Sequence, residues 1–495
     1  MESRYKASIY NYLFNSINTV VMIVNGIVMV PIYFHYMSVS TYGAWLASGN
    51  LVAMIGLLES GFSSVITQKM AAAIGIGDKK EYLILAGSNI MTAGLISVMI
   101  FIFGSCFIPY IADIVNTDSE STMDITIAFT LSLLSSAIAV LVSLLGAFPQ
   151  VWQETKQVGI INTIVNIVAI GVMIISLIIG GGVISLALGY LARSSLNLIF
   201  QGWWILKHWK MRDIESPIYN FKSSFLLFKE CFYPLIARVS GVLMGQSQSF
   251  VLAAFMAPAL AAIYDITSKI MICTYGFVGI ANGSFFAFLS ITFGKNDRHE
   301  LNRVVGNIIQ YFTMSVVAVF IFGVCFSKFI IYYWVGLEKF GGDWLLLLIG
   351  VSMFVNQYKV FFNNLLFSSG NIKKSSIIDI CSLLLYFLMI FTTIKYLQVY
   401  SIPISLLLTN AVFGGWYLHV LFKNTKILHA TILSPMLKNI LVSIPIVILY
   451  LICNFEPSDY LLFVVLFVSL FIIFLLAIMH INPSVKLQIY RKLCK

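Results

Sequence analysis

The chain has 495 residues, of which 60% are hydrophobic and 10% charged, with a mean hydropathy of +0.94. Soluble domains carry about 25% charged residues, so the composition excludes one and describes a polytopic membrane protein. The formal net charge of +10 is then a question of which loops are basic before it is a question of nucleic acid, which is not expected as a partner.

A helical crossing needs about 20 apolar residues. The first apolar run follows a basic start, Met1 to Lys6, and lacks a small-residue cleavage site, so it reads as a first span and not a cleaved signal. Spans are predicted at 9–34, 43–66, 82–107, 125–148, 158–180 and 183–206, with Gly180, Gly181 and Gly182 making a tight hairpin between the last two. A basic connector, 207–230, follows. Further spans are predicted at 232–256, 262–290, 304–327, 343–368, 376–397, 403–422, 434–454 and 460–480, which brings the number to fourteen. The runs are continuously apolar and do not alternate with period two, so they are helices and the fold class is all-α.

Most of the 30 basic residues fall in alternate loops, among them Lys79, Lys80, Lys156, Lys207, Lys210, Lys222, Arg298, Arg303, Lys373 and Lys374, together with both chain ends. The intervening loops are short or acidic, as in Asp113, Asp118, Glu120 and Asp124. The basic face is cytoplasmic by the positive-inside rule, with both termini inside.

The chain also repeats itself. Gly77-Asp78-Lys79-Lys80-Glu81 is echoed by Asp297-Arg298-His299-Glu300, and Tyr36-Met37 by Phe255-Met256, at one common offset. Two six-helix lobes are expected, 1–215 and 216–430, followed by a terminal helix pair and cytoplasmic tail, 431–495; repeats of this kind build transporters.

No P-loop, H-E-x-x-H, G-x-S-x-G or dinucleotide-binding glycine pattern is present. No enzyme activity, cofactor or metal is expected, and any driving force must come from a gradient. The seven cysteines are scattered without C-x-x-C spacing and read as free thiols.

The informative residues are charges inside the spans, because each costs roughly 2.5 to 3.5 kcal/mol near the bilayer centre. They are Glu59, Arg193, Arg238, Asp265, Lys269 and Lys359, a mainly cationic set. Asp265 and Lys269 are spaced i, i+4 and can neutralise each other on one helix face; Arg238 and Glu59 lie where they can reach the cytoplasmic interface. Asn11, Asn15, Asn18 and Asn25 mark one face of the first span, and Gln246 to Ser249 make the equivalent seventh span polar. Such faces serve either as interhelical hydrogen-bonding glue or as the wall of a wet cavity.

Tyr42-Gly43-Ala44-Trp45, then Gly56-Leu57-Leu58-Glu59-Ser60-Gly61, then Lys69-Met70-Ala71 and Gly77-Asp78 resemble the second-helix region of Wzx-type O-antigen flippases. These form the polysaccharide-transporter branch of the multidrug/oligosaccharidyl-lipid/polysaccharide exporter superfamily. Relatives often carry Asp where this chain has Glu59. The resemblance implies a cavity between two lobes, alternating access across a bacterial inner membrane, and a lipid-linked oligosaccharide as substrate. An undecaprenyl pyrophosphate cannot cross hydrocarbon unpaired, so Arg193, Arg238, Lys359 and Lys269 are expected to offset its charge, with Asn18 and Asn25 lining the cavity. Glu59 and Asp265 are the expected coupling carboxylates. Membrane lipids, an O-antigen polymerase and a chain-length regulator are the other expected partners. Two other readings stand beside this one. An ion-coupled multidrug exporter would call for acidic cavity charge, and a polymerase or ligase for a long external loop, whereas no outer loop here exceeds about 20 residues.

Overall fold

The computed structural model describes residues 21, 26, 28–55, 62–116, 122–152, 154–211, 215–294, 297–425 and 427–437. These residues are almost entirely helical, with no strand among them. After a helical stretch over 28–36 come α1 (Val39–Ile55), α2 (Phe62–Ile76), α3 (Lys79–Ser105), α4 (Thr122–Leu145), α5 (Thr155–Ile178), α6 (Ile184–Met211), α7 (Phe221–Phe255), α8 (Pro258–Gly294), α9 (Arg298–Trp334), α10 (Asp343–Ser368), α11 (Ile372–Leu397) and α12 (Ser401–Asn424). Six helical segments among the described residues are long and apolar enough to cross a membrane. The protein is an all-α polytopic membrane protein. The predicted thirteenth span lies almost wholly, and the fourteenth entirely, outside the described residues.

The chain divides into two compact units, Met1–Ala262 and Ile263–Lys495. In the first, α6 packs most extensively on α4 and α5, α4 packs on α3, and α7 lies along α1. In the second, α12 packs on α10 and α11, and α9 packs on α10. The two units therefore use equivalent pairs, α6 with α4 and α5 in the first and α12 with α10 and α11 in the second.

Helix starts repeat with the same period. α1 begins at Val39 and α8 at Pro258, α3 at Lys79 and α9 at Arg298, each pair 219 residues apart. Both α3 and α9 open on an aspartate whose side chain satisfies otherwise unpaired backbone N–H groups of the first turn: Asp78 for Glu81, and Asp297 for His299 and Glu300.

Each unit also carries a strap, the segment after α6 returning to α3 and the segment after α12 returning to α9. Ile218 N–H donates to the Leu83 carbonyl of α3 at 3.1 Å, and Leu428 N–H to Asn302 Oδ1 of α9 at 2.7 Å. Leu83 and Asn302 are again 219 residues apart. The first strap lies so close that a Cβ on Gly87 would stand 2.3 Å from the Ile218 carbonyl oxygen. The hairpin between α5 and α6 turns through Gly180 at φ +95° and Gly182 at φ +48°, which only glycine adopts freely.

The unit cores are aromatic. In the first, Tyr82, Phe148, Trp152, Trp204 and Trp209 cluster at the end carrying Lys207 and Lys210, and the buried Trp152 indole N–H donates to Tyr82 OH at 3.0 Å. His208 stacks on Trp204, with ring centroids 3.9 Å apart, and pairs with Glu154 at 3.3 Å. In the second, Phe312 of α9 stacks on Phe361 of α10 at 4.5 Å, and both are buried.

Candidate functional site: charges within the spanning helices

In the second unit α10, α11 and α12 enclose a buried lysine and a buried aspartate. Lys359 of α10 is 6% exposed and Asp379 of α11 is 7% exposed, and the two lie within electrostatic reach of each other. α12 lies against the lysine stem, a Cβ built on its Gly414 standing 3.9 Å from Lys359 Cβ. Lys359 Nζ donates to Ser382 Oγ at 2.6 Å. Asn363 Nδ2 donates to Asp379 Oδ2 at 3.0 Å and its carbonyl oxygen accepts from Ser375 Oγ at 2.5 Å. Tyr417 OH closes the group, donating to the Ser375 carbonyl at 3.0 Å. A charge taken from water needs a partner and hydrogen bonds, and three helices supply them here. The face of α12 that carries Ser405, Thr409 and Asn410 adds fully buried oxygens without a hydrogen-bond partner, so this packing is polar beyond Lys359 and Asp379 themselves.

Asp379 was not among the six sequence-predicted charges. Its signal is present, a lone carboxylate in Ile377-Ile378-Asp379-Ile380. The predicted span began at 376, which set Asp379 at the interface, whereas α11 begins at Ile372, so that Asp379 lies about 10 Å from the start of the helix instead of about 5 Å.

Asp265 and Lys269 of α8 meet as their spacing predicts, Lys269 Nζ donating to Asp265 Oδ2 at 3.0 Å. Close by, Thr267 Oγ1 accepts from Gly341 N–H at 2.9 Å and anchors the turn before α10. At that same end Lys328 pairs with Asp343 at 3.0 Å and Lys339 with Glu338 at 2.7 Å. The Lys339 ammonium holds the Glu338 carboxyl below the usual carboxylate range.

In the first unit Arg193 is half-buried on α6, one turn from Tyr190, whose ring stacks on Trp45 of α1 at 5.9 Å. Tyr33 joins the same region, its ring packed against Tyr42 at 5.7 Å and its hydroxyl donating to Met173 Sδ at 3.3 Å. Arg193, Asn197 and Gln201 recur at i, i+4 and i+8 and so share one face of α6. Along it Gln201 Nε2 donates to Asn162 Oδ1 of α5 at 2.7 Å and to Asn197 Oδ1 at 3.3 Å, while Ser194 and Ser135 of α4 share a hydrogen bond at 3.1 Å. Sequence reasoning found the arginine and missed this polar seam, although the spacing was there to read.

Asn18, Asn25 and Glu59 lie outside the described residues. Arg238 falls within α7, and its position in that helix is all that is described. Among the described residues no group of three or more His, Cys, Asp or Glu could hold a metal ion.

The family described as "Polysaccharide biosynthesis protein" matches residues 9–292. No curated protein matches the chain. An inward-facing multidrug resistance MATE family transporter of the MOP superfamily superposes with a TM-score of 0.67 at 15% identity, over 82% of this chain and 95% of that one. The lipid II flippase MurJ, in an inward closed conformation, gives a TM-score of 0.64 at 14% identity, over 98% of this chain and 100% of its own. The Vibrio cholerae MATE transporter VcmN, in its bent form, gives 0.56 at 11% identity over 86% and 98%. The fold is the polytopic membrane fold that these transporters share.

Proposed function

The chain belongs to the polysaccharide biosynthesis protein family, and from that premise we propose that it is a flippase for lipid-linked oligosaccharide. It moves undecaprenyl-pyrophosphate-linked O-antigen or similar repeat units from the cytoplasmic to the periplasmic leaflet of a bacterial inner membrane, by alternating access between two lobes, 1–215 and 216–430. Both termini are cytoplasmic in this reading. The loop charges support that orientation, and the likeness in fold to a lipid II flippase over 98% of the chain is compatible with a lipid-linked cargo.

The observation that carries the substrate is Arg193 beside the stacked Trp45 and Tyr190. A guanidinium presents a fork of donors to phosphate oxygens, and the exposed ring of Tyr190, backed by the buried Trp45, offers flat apolar surface to a sugar ring. Arg238, together with Lys269 and Lys359, each beside an acid, complete the proposed cationic set. Asn18 and Asn25 remain the proposed cavity wall, and Glu59 and Asp265 the coupling carboxylates.

The test is complementation of a host lacking its O-antigen flippase. Arg193→Ala should abolish surface polysaccharide at normal protein level, and Arg193→Lys, which keeps the charge and loses the fork, should restore part of it. Full surface polysaccharide from Arg193→Ala would sink the substrate assignment. An ion-coupled exporter is the second reading, favoured by the buried carboxylate of Asp379; it predicts drug resistance and no complementation.

A further inference from the structure

α7 ends at Phe255, and the carbonyls of its last turn have no acceptor role left inside the helix. Leu252 O accepts from Met256 N–H at 3.0 Å and from Ala257 N–H at 3.1 Å. The next two carbonyls are taken by a residue more than a hundred positions away. Asn116 Nδ2 donates to Ala253 O at 2.8 Å and to Ala254 O at 3.0 Å. Asn116 reaches them from the left-handed region, φ +50°, which Asn tolerates better than other side-chain-bearing residues.

A second contact lies at the same end of the first unit. Gly43, in the first turns of α1, faces the first residue of α8: a Cβ built on it would stand 1.7 Å from the Pro258 carbonyl oxygen. Only a residue without a side chain permits this approach of backbone to backbone. The two segments that meet are the equivalent starts of the two repeats, Val39 and Pro258. All of these residues belong to the unit Met1–Ala262, at the end that the loop charges assign to the periplasm.

We propose that Asn116 and Gly43 form a latch at the outer end of the first unit, with the Asn116 amide capping α7 only while Gly43 rests on Pro258. The inference rests on the orientation and alternating access proposed above. Opening must part Gly43 from Pro258 and return the Ala253 and Ala254 carbonyls to water, so losing the cap shifts the population towards the open form.

The test uses the full-length protein in cells, with the exposed native thiol Cys106 replaced by Ser and a reporter, Ala47→Cys, placed one turn below Gly43 where the chain is fully buried. A membrane-impermeant maleimide is applied from outside. Asn116→Gly keeps the backbone conformation and removes the amide; Gly43→Ala drives a methyl group into the Pro258 carbonyl. Each should raise the labelling rate of the reporter by about tenfold. Gly49→Ala, where nothing lies within 4 Å of the added Cβ, should leave it unchanged. If Gly43→Ala does not accumulate, Asn116→Gly alone decides. Labelling at the parent rate in Asn116→Gly overturns the latch, as does an equal rise in Gly49→Ala. The readout is accessibility and not transport, so the expected labelling in a protein that fails to move oligosaccharide would support the latch while removing the proposed substrate.

Discussion

Asp78 and Asp297, 219 residues apart, start their helices in the same way: Oδ1 of each accepts the backbone N–H three residues on, from Glu81 at 2.9 Å and from Glu300 at 3.1 Å. The duplication seen as a four-residue echo in the sequence is therefore also one of hydrogen-bond geometry. It extends to the straps held at Leu83 and Asn302 and to the order in which helices pack within each unit.

The Asp297 cap gives a pH-dependent prediction. Backbone N–H donation from Glu300 and His299 holds the Asp297 carboxyl below the usual range, so its folded value is depressed relative to the unfolded chain. Its contribution to stability is present above the unfolded value, about 3.9, and is lost as pH falls through the folded one. Asp297→Ala should lower the melting temperature by a few degrees at neutral pH, and the gap to wild type should narrow below about pH 4. Asp297→Asn, which keeps an acceptor and loses the charge, should melt between Asp297→Ala and wild type at neutral pH. A gap that does not change with pH in thermal scans of the purified protein would contradict the charged cap.

Lys359 and Asp379 should behave as a coupled pair. Removing one partner of a buried ion pair costs about 3–5 kcal/mol, because the other is left buried and unpaired, while replacing both with apolar residues is close to neutral. Lys359→Met and Asp379→Leu should each cut the yield of folded protein on size exclusion and lower its melting temperature. The double variant should recover most of both. A double variant as unstable as the sum of its singles would show that the two residues do not serve each other.

Membrane orientation is tested at two exposed positions, each at an end of α11. Lys374→Cys should react with an impermeant thiol reagent only when the cytoplasmic side is opened, and Tyr396→Cys, 85% exposed, should react in intact cells. The reverse pattern would turn the proposed direction of transport around.

Much of this was legible because hydropathy and helical hydrogen bonding end at the same place in most spans. The tenth was predicted at 343–368, and α10 runs Asp343–Ser368. They part company where a helix continues beyond the hydrocarbon. α8 and α9 have 37 residues each, about 55 Å of helix, and α7 begins at Phe221 inside what read as a basic connector. An apolar run marks oil, whereas the backbone goes on forming helix through Lys222 and Lys229. At the site, single charges could be found from their cost in lipid, but their partners could not. The pairing of Lys359 with Asp379, and of Asn162 with Gln201, depends on which helices adjoin, which one sequence does not state.

In the proposed function the protein carries a lipid-linked, pyrophosphate-bearing oligosaccharide across the bilayer with Arg193 at its phosphate. It is tested most directly in proteoliposomes holding the purified protein and a fluorescently tagged undecaprenyl-pyrophosphate oligosaccharide, by following how fast the tag becomes accessible to an impermeant quencher in the opposite leaflet. Movement should depend on the protein and fall at least tenfold in Arg193→Ala, the equivalent of about 1.4 kcal/mol or more, with Gly49→Ala unchanged. Movement no faster than in protein-free vesicles, or equal in wild type and Arg193→Ala, would contradict it.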